Sequence, residues 1–355
     1  MTALTAPAAT SAGPVHGGPR LTRWLLRLHR PALIVWTVLV LLGSALLLWL
    51  AGPLTDAAAE GWRQYNACGM TPRCTYDQDA ILLHKSTYDY LTAGMVGLPF
   101  VVAAWAGAAL TGRELESGTA QLAWTQGISP TRWLALHTAV PAVAITAGTS
   151  LLVVLHRRAW SAAQGRVDTG KPWHDVWTFH ANGPTTVALA LAGLAVGVLA
   201  GLLRRRTLPA LLLGLALAAG VWGTAQQLMP HLWPAVTEVT GLDKGYGHLY
   251  SGIQADHGLV TAGGAHIPEP ECYAATSDGC DKAFERLGAV GYYSTYHPAS
   301  HYWPLQLTTG AFVLGVAGLC TATSFWLLRH RTATPPLADG RRAPRRSRTA
   351  KRATA

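Results

Sequence analysis

The stretch RELESGTAQLAWTQGISPTRW, Arg113 to Trp133, lies between two long apolar runs and carries Arg113, Glu114, Glu116 and Arg132. One charge at the centre of a bilayer costs roughly 2.5–3.5 kcal/mol, so burying these four costs about 10 kcal/mol and the segment belongs outside the hydrocarbon. The runs beside it behave in the opposite way. Residues 91–112 and 134–155 contain no Asp, Glu, Lys or Arg, and each is long enough for a helix to cross about 30 Å of hydrocarbon.

Working outward, four further runs pass the same test, at 31–51, 184–203, 207–228 and 305–328. With 50% hydrophobic and only 13% charged residues among 355, the composition is that of a membrane protein. The fold expected is all-α, with six transmembrane helices spread over residues 20–330. External loops fall at 52–90, 156–183 and 229–304. Residues 1–19 and 331–355 read as disordered tails, the second strongly basic.

The orientation follows from Lys and Arg. An N-terminus inside puts 18 of the 28 in the cytoplasm, including Arg204 to Arg206 and the nine from Arg329 onward. Both termini and the Arg113–Trp133 connector are therefore expected on the cytoplasmic side. Arg157, Arg158, Arg166 and Lys171 vote the other way and are outnumbered. The first run is longer than a signal-peptide core, which favours a retained anchor. The basic tail has no readout fold beside it, so the positive charge points to anionic lipid and topology, with no nucleic acid as partner.

Before the first span, LTRWLLRLHR places Trp24, Leu25 and Leu28 on one helical face and Arg23 and Arg27 on the other. That pattern predicts an amphipathic helix lying in the headgroup region. Cys68 and Cys74, in the first external loop, and Cys272 and Cys280, in the last, fall on the side where disulfides persist. Local pairs are the simplest arrangement, and a loop-to-loop pair is the rival. The aromatic ending GYYSTYHPASHYW reads as an interfacial belt. Gly193, Gly197 and Gly201 form one small-residue helix face, for packing within the chain or between chains.

Signatures of chemistry are sparse. GRVDTGKP, residues 165–172, nearly matches a phosphate-binding loop, but Pro172 replaces the hydroxyl that binds Mg²⁺. No paired C-x-x-C and no H-E-x-x-H occur, and His174 and His180 beside Asp175 are better explained as loop polarity, so no metal is expected. No catalytic residue is assigned. The spans offer only His137, Gln226, Gln227 and Gln306 besides Ser and Thr, which disfavours an internal ion-coupling site. Energy for any transport must enter from elsewhere.

The connector carries the punctuation for receiving it. Ser117 or Thr119 can cap a helix of about two turns, Gly127 can end it, and Ser129-Pro130 supplies a fresh N-terminus for the third span. Its residues, Arg113-Glu-Leu-Glu-Ser-Gly-Thr, Leu122-Ala-Trp-Thr-Gln and Thr131-Arg-Trp-Leu, resemble the cytoplasmic loop of ATP-binding-cassette transporter permeases of the type 2 exporter class, in a bacterial subgroup. Gly193 to Pro209 and Tyr296 to Trp303 are similar to the same subgroup.

The resemblance implies a multi-pass permease of a bacterial cell membrane whose short coupling helix docks on a separate ATPase. That partner would bind ATP and Mg²⁺, with no cofactor on this chain. Carried over by position, the docking residues are Glu114, Glu116, Gly118, Thr119, Trp124, Thr125, Gln126, Thr131, Arg132 and Trp133. Pro130 departs from the subgroup's usual polar residue. The resemblance also implies a homodimer or a pair with a second permease, acting as an exporter of unidentified substrate. Two other classes compete: a membrane enzyme using Asp243, His248, Asp256 and His257, and a non-transporting anchor or sensor.

Overall fold

The computed structural model describes residues 30–69, 74–245, 247, 251–271 and 277–333. The amphipathic stretch with Arg23, Trp24, Leu25, Arg27 and Leu28 lies outside them, as do Cys272, His248 and residues 1–19 and 334–355. Among the described residues, six helices are long and apolar enough to cross a membrane: Arg30–Ala67, Gln78–Glu116, Pro130–Ala163, Pro184–Arg204, Thr207–His231 and Ala299–Thr332.

The first runs from α1 (Arg30–Trp49) through a π-helical turn, Leu50–Leu54, into α2 (Thr55–Ala67). The second is α3 (Gln78–Val101), a π-helical segment at Val102–Ala109 and α4 (Leu110–Glu116). Pro53 lies in the first π segment and Pro99 just before the second, where the missing N–H loosens the α-helical ladder and lets the wider turn form. The connector helix is α5 (Thr119–Thr125), and the third span is α6 (Pro130–Ala163). After a short α7 (Val176–Ala181) come α8 (Pro184–Arg204) and α9 (Thr207–Leu228).

Several helices outrun their apolar stretches. At 1.5 Å per residue, the 34 residues of α6 span about 50 Å, well beyond the hydrocarbon. Asp77 caps α3 by accepting from Ala80 N at 3.0 Å, so that helix starts thirteen residues before its apolar run and, together with α2, fills most of the expected first loop. A disulfide joins Cys68 to Cys74 between α2 and α3, which leaves no loop-to-loop pair for either. Cys280 is also disulfide-bonded.

The last loop folds as a small sheet rather than as an irregular excursion. β1 (Val236–Gly241), β2 (Ile253–Thr261), β3 (His266–Ile267) and β4 (Ala289–His297) form an antiparallel sheet in the order β1-β4-β2-β3. α10 (Ser277–Leu287) precedes β4, and α11 (Tyr302–Ala333) carries the last span. This corrects the aromatic-belt reading for two of its residues: Tyr293 and Tyr296 are buried in the central strand β4, where alternating β-formers pack on both neighbours, while Trp303 is 51% exposed.

α8 is the centre of the bundle. Its apolar window is 78% buried, against 17–33% in the other spans. Gly193, Gly197 and Gly201 face the second span. A Cβ on Gly193 would strike Pro99 O, one on Gly197 would strike Ala103 O and Gly107 Cα, and one on Gly201 would strike Thr111. The small-residue face therefore serves contact inside the chain.

Candidate functional site: the connector and the buried polar layer

The connector is built from short-range punctuation and long-range tethers. Gly118, at φ 76°, is the residue that starts α5. It takes the place of the expected side-chain cap, since glycine has no side chain to accept a bond, and Thr119 turns its hydroxyl back to Glu114 O at 3.2 Å. Gly127, at φ 95°, follows the helix. Ser129 then caps α6 by accepting from Arg132 N, with Pro130 in the first turn.

Two carboxylates tie this element to two different spans. Glu114 Oε2 accepts from Trp133 Nε1 at 3.0 Å, and its Oε1 lies 2.9 Å from His137 Nε2. His137 Nδ1 lies 3.0 Å from Trp133 O. Glu116 Oε2 accepts from Thr207 N at 2.8 Å and from Thr207 Oγ1 at 2.6 Å, placing negative charge at the positive N-terminus of α9.

The inner face of α5 is apolar. Ala120 and Trp133 are buried in one cluster with Leu134, Leu202 and Leu328, and Trp124 packs against it. The Trp124 and Trp133 rings meet edge to face at 5.8 Å, a favourable arrangement for their quadrupoles. Thus Glu114, Trp124 and Trp133 point into the chain, while the exposed Glu116 reaches Thr207 along the surface. The outer face carries Gln121, Leu122, Thr125 and Gln126, all exposed, with Thr119, Arg113 and Arg132 nearby. Thr131 and Gly118 are half-buried. Leu122 is 58% exposed, although it sits among polar groups beyond the apolar run. Spacing alone could not separate these two faces, since a helix of seven residues shows barely two turns of period.

A family model described as ABC-2 membrane transporter related matches residues 37–229, more than half of the chain. The chain belongs to that family. It is a multi-pass membrane protein and a permease subunit of a transporter, and the match covers the first five spans and the connector. No curated protein and no solved structure matches it.

At the end of the permease opposite the connector, a polar layer ties the spans together. His156, fully buried, lies 2.9 Å from Thr92 Oγ1 and donates Nδ1 to Asn182 Oδ1 at 2.6 Å. Tyr302 donates to Asn182 O at 2.7 Å, and the Arg157 guanidinium stacks over Tyr302 and Trp303 at 4.8 and 4.7 Å. Tyr88 and Thr178 share a hydrogen bond of 3.1 Å, and Gln306 donates to Phe179 O at 2.6 Å while accepting from Thr185 N. His180 pairs with Gln226 at 2.5 Å; burial pushes its pKa down, and the Gln226 contact opposes that.

This layer was invisible as a unit because His84, Tyr88 and His156 sit in helical extensions beyond the apolar runs. A signal existed: His84, Tyr88 and Thr92 repeat every four residues and share one buried face. His174 and His180 do not converge on a metal. Asp175 between them caps α7 by accepting from Thr178 N at 3.0 Å, and no group of three metal-ligating side chains occurs among the described residues. Of the residues weighed for an enzyme, Asp256 accepts from Tyr293 OH at 3.1 Å within the sheet, and Asp243 lies in a separate turn.

Proposed function

We propose that this permease is the membrane half of an ATP-driven exporter in a bacterial cell membrane, and that a separate ATPase subunit docks on the outer face of α5. ATP and Mg²⁺ would be bound by that subunit, and the permease would work as a homodimer or beside a second permease. The observation that carries the reading is the exposed Leu122, set between Gln121, Thr125 and Gln126 on a helix held rigidly from behind. An apolar residue with a polar rim on a fixed element matches the anatomy of a protein interface.

Charge supports a cytoplasmic connector. Arg113, Arg132, Arg204 to Arg206, Arg329 and Arg331 gather at that end, whereas the disulfides lie at the other. Arg331 also donates to Leu202 O at 2.5 Å, joining the last span to the C-terminus of α8. In this arrangement a push on α5 passes through Glu114 to α6 and through Glu116 to α9.

Co-purification of the tagged chain with a candidate ATPase in detergent tests the docking. Wild type retains the ATPase, and Leu122→Glu weakens retention by at least tenfold, about 1.4 kcal/mol, with an unchanged melting midpoint. Equal retention by the folded variant, or no ATPase on wild type, removes the docking assignment.

A further inference from the structure

The polar layer opens toward the protein's other face through a cleft that ATPase docking does not explain. It lies between α3, the end of α6 and the segment leading to α7, and its outer chamber has a volume of about 250 Å³. We propose that this cleft binds a zwitterion in which a primary ammonium is linked to a phosphate or carboxylate.

The walls are fixed before any ligand arrives. Trp160 Nε1 and Gln164 Nε2 both donate to Lys171 O, at 2.8 and 3.3 Å, and Asp175 caps the next helix. These bonds pin the segment carrying Lys171 over α3. Across from it, Asp89 Oδ1 stands 4.0 Å from Lys171 Nζ, and both side chains are partly exposed, at 45% and 37%. At that separation the two groups attract without closing a short hydrogen bond, so each keeps capacity for a second partner.

The charges in the cleft are balanced, with Lys85 and Asp175 adding one more of each sign. A simple cation entering here meets lysine, and a simple anion meets aspartate. A molecule carrying both signs satisfies Asp89 with its ammonium and Lys171 with its anionic group, and specificity then comes from complementary placement of charge. A primary ammonium suits the carboxylate because it donates hydrogen bonds.

Two buried polar atoms on the inner wall point independently to a ligand. His84, only 3% exposed, has Nε2 beside Thr55 Oγ1 at 3.3 Å, while its Nδ1 has no partner. Thr169 Oγ1, on the facing segment, also has none. Both residues line its narrow inner recess of about 10 Å³, which shares Tyr88, Asp89 and Lys171 with the outer chamber. A buried polar group without a partner costs about 1–3 kcal/mol, and the recess has room for one water that links both atoms to a ligand in the outer chamber. Asp89 lies two residues before the apolar run that begins at Leu91, so the cleft opens at headgroup level. Both a lipid headgroup and a dissolved zwitterion can reach it.

The test is calorimetric titration of the full-length protein in detergent, without ATPase, with phosphoethanolamine and with short-chain phosphatidylethanolamine. Ethanolamine, glycerol phosphate and short-chain phosphatidylglycerol, each carrying one sign of charge only, serve as the single-charge comparisons. Saturable binding of a zwitterion is expected, at least tenfold tighter than any comparison ligand. Asp89→Asn and Lys171→Gln each weaken it at least tenfold, and Thr169→Val weakens it severalfold. Binding of the lipid alone assigns the source to the bilayer; binding of phosphoethanolamine as well shows that the headgroup suffices. Either supports the site. The proposal is overturned if wild type binds neither zwitterion, binds single-charge ligands equally well, or is matched by the folded variants. Should a variant fail to fold, the wild-type comparison among ligands decides.

Discussion

Glu114→Ala should lower the melting midpoint of the detergent-solubilised permease by roughly 6–12 °C, at about 2–4 °C per kcal/mol. The carboxylate holds two groups from α6, the Trp133 indole and the His137 ring. Trp133 is 2% exposed and His137 4%, so neither can turn to water when its partner goes. Leaving a buried polar group without a partner costs about 1–3 kcal/mol, and the two left here together cost about 3 kcal/mol, below the upper sum because a fifth of the Glu114 side chain is exposed.

Glu116→Ala should have a smaller effect, because its carboxylate meets Thr207 at the surface, where water can replace it. Glu114→Gln separates charge from geometry, keeping an acceptor for one partner. Intrinsic tryptophan fluorescence during a thermal ramp reads all three. Equal midpoints for Glu114→Ala and Glu116→Ala would contradict the tether. For coupling, Glu114→Ala should leave ATPase retention closer to wild type than Leu122→Glu does, because it changes the back of α5 and not the docking face.

How far the sequence carries this picture depends on the length scale of each signal. The six spans are legible because a membrane demands about twenty uncharged residues in a row, and no soluble element needs that. The connector's limits are legible too, since Gly127 and Ser129-Pro130 act on their immediate neighbours. What Glu114 and Glu116 hold is not legible: Trp133, His137 and Thr207 are brought to them only by the packing of α6 and α9. The same holds for Trp124, whose match to a docking motif said nothing about which way its ring faces.

The helical extensions fail for a different reason. Residues 55–67 and 78–90 carry enough charge to fall below any membrane threshold, and their helical period lacks the apolar length that marks a span. In the last loop, GYYSTYH has the residue types of a strand, but its partners, residues 236–241 and 253–261, are distant in sequence. Dense aromatics beside a span have two physical explanations, a lipid interface or a sheet core, and only the strand pairing separates them.

Gly197→Val should be the most damaging single change in the bundle. A side chain there meets Ala103 O and the Gly107 Cα, both of them backbone, so no rotamer change relieves the clash and the two helices must separate. Overpacking usually costs about 1–3 kcal/mol when side chains can shift; with backbone on both sides the upper end or more is expected. Helix contacts in a membrane depend on close packing rather than on expelling water, so lost contact is not recovered by burial elsewhere. The π segment sharpens the point. Its wide turn is what presents Gly107 to Gly197, and a side chain on Gly107 would in turn strike Gly197 Cα. Gly220→Val is the matched control, with nothing within 4 Å of its added carbon. Size-exclusion profiles and melting curves should show Gly220→Val close to wild type, and Gly197→Val and Gly107→Val poorly folded. If all three behave alike, the central α8 contact is not the one holding the second span in place.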